Sequence, residues 1–154
     1  MQDPTTAYVK LVLPSRIPFL DLAHGAAERA AVAAGFEEEA ALDMGLAVRE
    51  AVVNAMTHGN GLDPARTVDV VLLAGEGTVT ARVRDRGLGF DPKKTRDPRD
   101  PANLLQVSGR GLLMIRAFVD EVDFRYRPGR GMEVTLLKLK KKAAAAADAG
   151  GTRR

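Results

Sequence analysis

The chain has 154 residues, 45% of them hydrophobic and 28% charged, with 23 basic against 20 acidic side chains for a net charge of +3. That length and balance describe one soluble globular domain with its own core, and no apolar run is long enough to span a bilayer. Cysteine is absent, which excludes disulfides, thiolate nucleophiles and Cys-based zinc sites, and two histidines are too few for a His-based metal site of the usual type.

The N-terminus, MQDPTTAYVK, lacks the basic flank and apolar core of a secretory signal, so a cytoplasmic protein with no membrane partner is expected. Much of the basic excess sits in Lys138, Lys140, Lys141, Lys142, Arg153 and Arg154. With 5% aromatic residues and no Trp, the chain does not offer the basic face interleaved with aromatics that a direct nucleic-acid partner would need. Residues 1–140 are expected to form the domain, and 141–154 a basic, alanine-rich tail with no apolar period to dock it.

In chain order, Tyr8 to Leu13 alternates and stops at Pro14, which predicts a short edge strand. Phe19, Leu20, Ala23, Ala27, Ala30 and Ala34 then recur at three and four residues, a helix punctuated by Gly35. His24 lies in this helix and reads as a partly exposed structural histidine, with no acid or second His at ligand spacing. Glu37, Glu38 and Glu39 fall in the first turn of a second helix, where negative charge favours the free amide groups.

That second helix carries REAVVNAMTHGN, Arg49 to Asn60. Glu50 and Asn54 are four residues apart, so both side chains leave one face about a turn apart. Leu42, Leu46, Val53 and Met56 are expected to continue an apolar stripe beside them, placing an acid and an amide at the edge of a core. Gly59 and Gly61, with Asn60 between, can supply the left-handed conformations that end the helix, and His58 then caps or positions its last turn.

Thr67 to Leu73 and Thr78 to Asp85 are β-branched runs joined by Gly75-Glu76-Gly77, an antiparallel hairpin. In the second strand Val79, Ala81, Val83 and Asp85 share one face, so a buried row ends in a carboxylate that must accept hydrogen bonds. DRGLGFDP follows, with Gly87 and Gly89 able to let the backbone approach a ligand closely. Residues 93–107 are charged and interrupted by proline, and are expected to act as a lid.

Ser108, Gly109, Arg110 and Gly111 open a third helix with an apolar stripe of Leu112, Ile115 and Val119; glycines and a cation at a helix N-terminus suit an anion such as phosphate. Val122, Phe124 and Tyr126 alternate in a strand, Pro128 to Gly131 turns, and Met132 to Leu139 returns beside it. The predicted class is α+β, helices on one face of a mostly antiparallel sheet.

The order of these parts resembles the GHKL superfamily of ATP-binding domains, with their Bergerat-type two-layer α/β sandwich. REAVVNAMTHG, DRGLGFD, SGRGLLMIRAFVDEV and GMEVTLLKLK are most similar to the anti-sigma factor serine kinases of bacterial partner-switching systems, and the resemblance covers about residues 8–140. It implies that Glu50 is the general base toward a serine hydroxyl and that Asn54 coordinates a magnesium ion on the ATP phosphates. It implies that Asp85 accepts from the adenine amino group, that Gly87 and Gly89 pass close to the nucleotide, and that Gly109, Arg110 and Gly111 hold the phosphates.

By the same resemblance the chain phosphorylates a small anti-anti-sigma (STAS-type) antagonist, sequesters a sigma factor, and forms a homodimer. The alternative is a nucleotide-sensing partner-switching module without significant kinase activity. The family often has threonine after the glycine of the closing hairpin, whereas Met132 and Glu133 follow Gly131 here, which leaves the adenine contacts at that end open. No Walker A pattern is present, so ATP would rest on a different cradle.

Overall fold

β-branched and apolar residues at every second position build the sheet on which everything else rests. The computed structural model describes residues 5–87 and 110–141. The described strands are β1 (Ala7–Pro14), β2 (Thr67–Gly75), β3 (Thr78–Arg84), β4 (Glu121–Arg127) and β5 (Gly131–Leu139). They form one sheet in the order β1-β2-β3-β5-β4, with every neighbouring pair antiparallel. β1 is an edge strand, as its length and terminal proline predict. The described helices are α1 (Leu20–Ala33), α2 (Glu38–Asn54) and α3 (Arg110–Phe118), with a short 3₁₀ turn at Ile17–Phe19 before α1.

The register lines Val70, Val83 and Val134 across three strands, and Leu72, Ala81 and Leu136 one step along. Against this face the helices bury Leu20, Ala23, Ala27, Met44, Val48, Val52 and Ile115, giving one continuous core. Alanines along α1 let α2 approach closely. Gly35, at φ +97°, ends α1: its N–H reaches Val32 O at 3.0 Å, and the N–H of the buried Phe36 reaches Ala31 O at 3.0 Å. That pair of bonds is the Schellman closure expected of a glycine just past a helix end.

Three expectations need correction. The buried stripe of α2 is Ala41, Met44, Gly45, Ala47, Val48, Ala51 and Val52, whereas Leu42 is 42% exposed and Leu46 and Val53 are half-buried. Small residues occupy the core side because the helix lies close to its neighbours, which pushes the larger apolar residues to the flank. Secondly, α2 continues as a π turn, Ala55–Gly59, in which Asn60 N–H reaches Ala55 O at 2.8 Å. Gly61 and Leu62 are the left-handed residues, at φ +62° and +58°, and Asn60 is right-handed. Thirdly, His24 does have an acid at hand: its Nε2 lies 3.1 Å from Glu28 Oε2, one turn along α1.

Candidate functional site

The row Val79, Ala81, Val83 is buried, and Asp85 continues it with only 5% exposure. Its carboxylate is secured by backbone amides: Oδ1 accepts from Gly87 N–H at 3.0 Å and from Met132 N–H at 3.1 Å. Asp85 N–H in turn donates to Met132 O at 3.0 Å. Among the described residues Oδ2 takes no hydrogen bond, so one oxygen is structural and the other is left to accept from a ligand. Burial pushes the carboxyl above its ordinary value, and the Gly87 and Met132 amides oppose that rise by favouring the anion.

Glycine is required around this carboxylate by space. A Cβ at Gly59 would collide with Oδ2 and Cγ of Asp85, one at Gly131 with Oδ1, and one at Gly87 with the carbonyl oxygen of Gly59. Three segments distant in sequence, the end of the π turn, the exit of β3 and the start of β5, therefore close on Asp85 at backbone distance.

The other half of the site lies on α2. Glu50 and Asn54 are both half-buried, on the flank of the helix between its core stripe and solvent. Among the described residues neither side chain enters a hydrogen bond, which leaves an acceptor carboxylate and a free amide one turn apart. Gly111, in the first turn of α3, is packed so tightly on Glu50 that a Cβ there would overlap its carboxylate. The start of α3, with its outward amide N–H groups and positive dipole end, thus abuts the acid. Leu112, Ile115 and Val119 are buried, as their spacing predicts, and they seat α3 in the core.

Two groups result, Glu50 with Gly111 and Asp85 with Gly59, Gly87 and Gly131, and the helix α2 with its π turn carries both Glu50 with Asn54 and Gly59. Gly89, Gly109, Ser108 and residues 93–107 lie outside the described residues, as does the tail beyond Lys141. Arg110 opens α3 by its backbone, and its side chain lies outside the described set. His58 is exposed. Sequence reading missed Asn60, which is 1% exposed and bonds to four separate groups.

The structure thus holds a buried carboxylate among glycines at the exit of β3 and, on α2, a Glu/Asn face against the first turn of α3. A model of the histidine kinase-like ATPase domain matches residues 14–138. The chain belongs to that family. It is 28% identical over 133 residues to the serine-protein kinase RsbW of Listeria monocytogenes, covering 82% of this chain and 85% of that protein. With the anti-sigma F factor of Geobacillus stearothermophilus it shares 36% identity over 93 residues, 59% of this chain and 64% of that protein. The crystal structure of the RsbU and RsbW domains of Rv1364c from Mycobacterium tuberculosis matches with a TM-score of 0.57. At 24% identity over 90% of this chain and 34% of that one, this match shows a shared fold. As a histidine kinase-like ATPase domain, the chain has the α+β architecture that its sequence motifs predict.

Among the described residues no cluster of three or more His, Cys, Asp or Glu side chains could hold a metal by itself. Magnesium is held by one or two protein oxygens together with substrate phosphates, and the side-chain oxygen of Asn54 is a donor of that chemistry. Among the described residues no helix is long and apolar enough to cross a membrane.

Proposed function

We propose that this chain is an ATP-dependent serine/threonine-protein kinase and anti-sigma factor, which phosphorylates a small anti-anti-sigma antagonist of the STAS type and otherwise sequesters a sigma factor. The observation that carries the reading is the placement of Glu50: a carboxylate with no partner among the described residues, one turn from Asn54, against the first turn of α3. The names of the relatives, a serine-protein kinase and an anti-sigma F factor, support it.

In this reading Asp85 accepts a hydrogen bond from the adenine amino group through Oδ2, while the glycines beside it admit the ring. Backbone N–H groups at the start of α3, with Gly109, Arg110 and Gly111, take the phosphates. Asn54 holds magnesium, which neutralises charge on the phosphate oxygens when bound. Glu50 takes the proton of the antagonist's hydroxyl as its oxygen bonds to the γ-phosphorus and the bond to ADP breaks. Catalysis then consists mostly of positioning and charge stabilisation, and one base with a cradle of amides suffices. The protein works as a cytoplasmic homodimer.

Phosphate transfer from labelled ATP to a purified antagonist, compared between wild type and Glu50→Gln, tests the proposal. Wild type transfers, and Glu50→Gln binds ATP yet does not transfer. Undiminished transfer by the variant removes Glu50 as base. Nucleotide-dependent partner binding with no transfer by wild type would favour a sensing module over a kinase.

A further inference from the structure

We propose that Asn60 is a positioning residue for adenine recognition, acting through the backbone of Arg86 to fix the Asp85 carboxylate; this rests on the nucleotide-site reading above. The side chain is fully enclosed at 1% exposure, and its hydrogen bonds reach three separate segments of the chain. Its Nδ2 donates to Ser15 Oγ at 2.9 Å, to Thr67 O at 3.1 Å and, more weakly, to Arg66 O at 3.3 Å. Its Oδ1 accepts from Arg86 N–H at 2.8 Å. The first set anchors the amide to the end of β1 and the start of β2, and the last bond grips the chain just where β3 leaves the ladder.

What that grip controls follows from its neighbours. Residue 59 lies against Asp85 and Gly87, and residue 60 holds the N–H of residue 86, so two consecutive residues of the α2 exit clasp three consecutive residues of the β3 exit. The Arg86 N–H belongs to the peptide unit that begins at Asp85, so its orientation sets the direction in which the Asp85 Cα–Cβ bond leaves the backbone. Met132 and Gly87 hold Oδ1, and Asn60 holds the backbone behind it; together they fix where Oδ2 points. The Arg86 side chain goes elsewhere, to Thr67 Oγ1 and Asp69 Oδ2, each at 2.9 Å, so the positioning acts through the main chain. The π turn has a purpose in this scheme: its wider turn brings Gly59 and Asn60 to the β3 exit.

The readout is discrimination between ATP and purine riboside triphosphate, which lacks the 6-amino group, measured by calorimetry on the full chain. Wild type prefers ATP by about ten- to a hundredfold, the value of one hydrogen bond to a charged acceptor. Asn60→Ala brings that ratio toward unity, and Ser15→Ala, which removes an anchor of Asn60 but leaves the Arg86 bond, lowers thermal stability and keeps the ratio. A purely structural Asn60 would lower affinity for both nucleotides alike, and an unchanged ratio in a folded Asn60→Ala overturns the inference. If wild type binds neither nucleotide, or shows no preference, it is the nucleotide-site reading that fails. Should Asn60→Ala not fold, amide hydrogen exchange in wild type decides: Arg86 N–H is protected like its ladder neighbours, and rapid exchange there overturns the inference.

Discussion

Asp85 and Met132 exchange two hydrogen bonds: the Asp85 carboxylate accepts from the Met132 amide at 3.1 Å, and the Asp85 amide donates to the Met132 carbonyl at 3.0 Å. The Met132 side chain is a thioether and offers no hydroxyl to the carboxylate. The carboxylate is nevertheless secured, because the backbone supplies the donor. Met132→Ala should therefore leave ATP affinity within about threefold of wild type, whereas Asp85→Ala should lower it by about a hundredfold or more. Equilibrium titration with ATP distinguishes the two; a large loss in Met132→Ala would mean that its side chain contacts the base.

The raised carboxyl of Asp85 gives nucleotide binding a pH dependence. In its proposed role toward adenine Asp85 acts as the anion, so affinity should be full above the raised value and decline as pH falls through it. Stability moves the other way for this group. Its folded-state value exceeds the unfolded one, so burying the charge costs stability above the folded value, and that cost is relieved as pH falls. Titrating ATP binding downward from neutral pH should show affinity lost at a higher pH than an ordinary aspartate would give. Asp85→Asn should abolish this step, since the amide does not titrate in the range.

Gly111 keeps the first turn of α3 against the Glu50 carboxylate, and a methyl group there meets only the end of a flexible side chain. Gly111→Ala should fold, with helix propensity contributing up to about 1 kcal/mol in its favour. It should also displace the acid, so phosphate transfer falls on the order of a hundredfold while ATP still binds. Gly87→Ala should behave differently, because its Cβ meets the carbonyl oxygen of Gly59, and overpacking against backbone costs about 1–3 kcal/mol. Transfer assays paired with thermal melts separate the two outcomes.

These contrasts show which parts of the site were legible in the sequence. The period-two row ending at Asp85 was readable because a strand face is fixed by alternation alone, and Glu50 with Asn54 because a helix face is fixed by spacing. The stripe expected from Leu42, Leu46 and Val53 was displaced onto Ala41, Met44, Gly45 and Val48, since hydrophobicity does not reveal how closely a neighbouring helix approaches. Asn60 was not legible at all. Two of its partners stand 45 residues before it at Ser15 and 26 after it at Arg86, and the π turn that delivers it has no local signature comparable to a capping residue.

On the opposite face of the sheet, Glu133 pairs with Arg84, whose Nε and Nη2 donate to Oε2 at 3.0 and 2.6 Å, and Arg127 lies 3.7 Å away. Burial alone would raise the Glu133 carboxyl, but the Arg84 hydrogen bond and the charges of Arg84, Arg127 and Arg82 outweigh it and hold it below its ordinary value. A carboxylate so lowered contributes stability that is complete above the unfolded value and is lost as pH falls through the folded one. Glu133→Gln removes that contribution and leaves three guanidinium groups without their central anion. Because Arg84 is partly open to solvent, the loss is set by a charge-assisted hydrogen bond rather than by a fully buried pair, about 1–3 kcal/mol at neutral pH. The side chain points away from Asp85, so ATP affinity should stay within about threefold. Denaturant unfolding of both proteins should show the stability difference at neutral pH and a narrowing gap on acidification; a gap that widens toward acid pH would mean that the arginines do not stabilise the Glu133 anion.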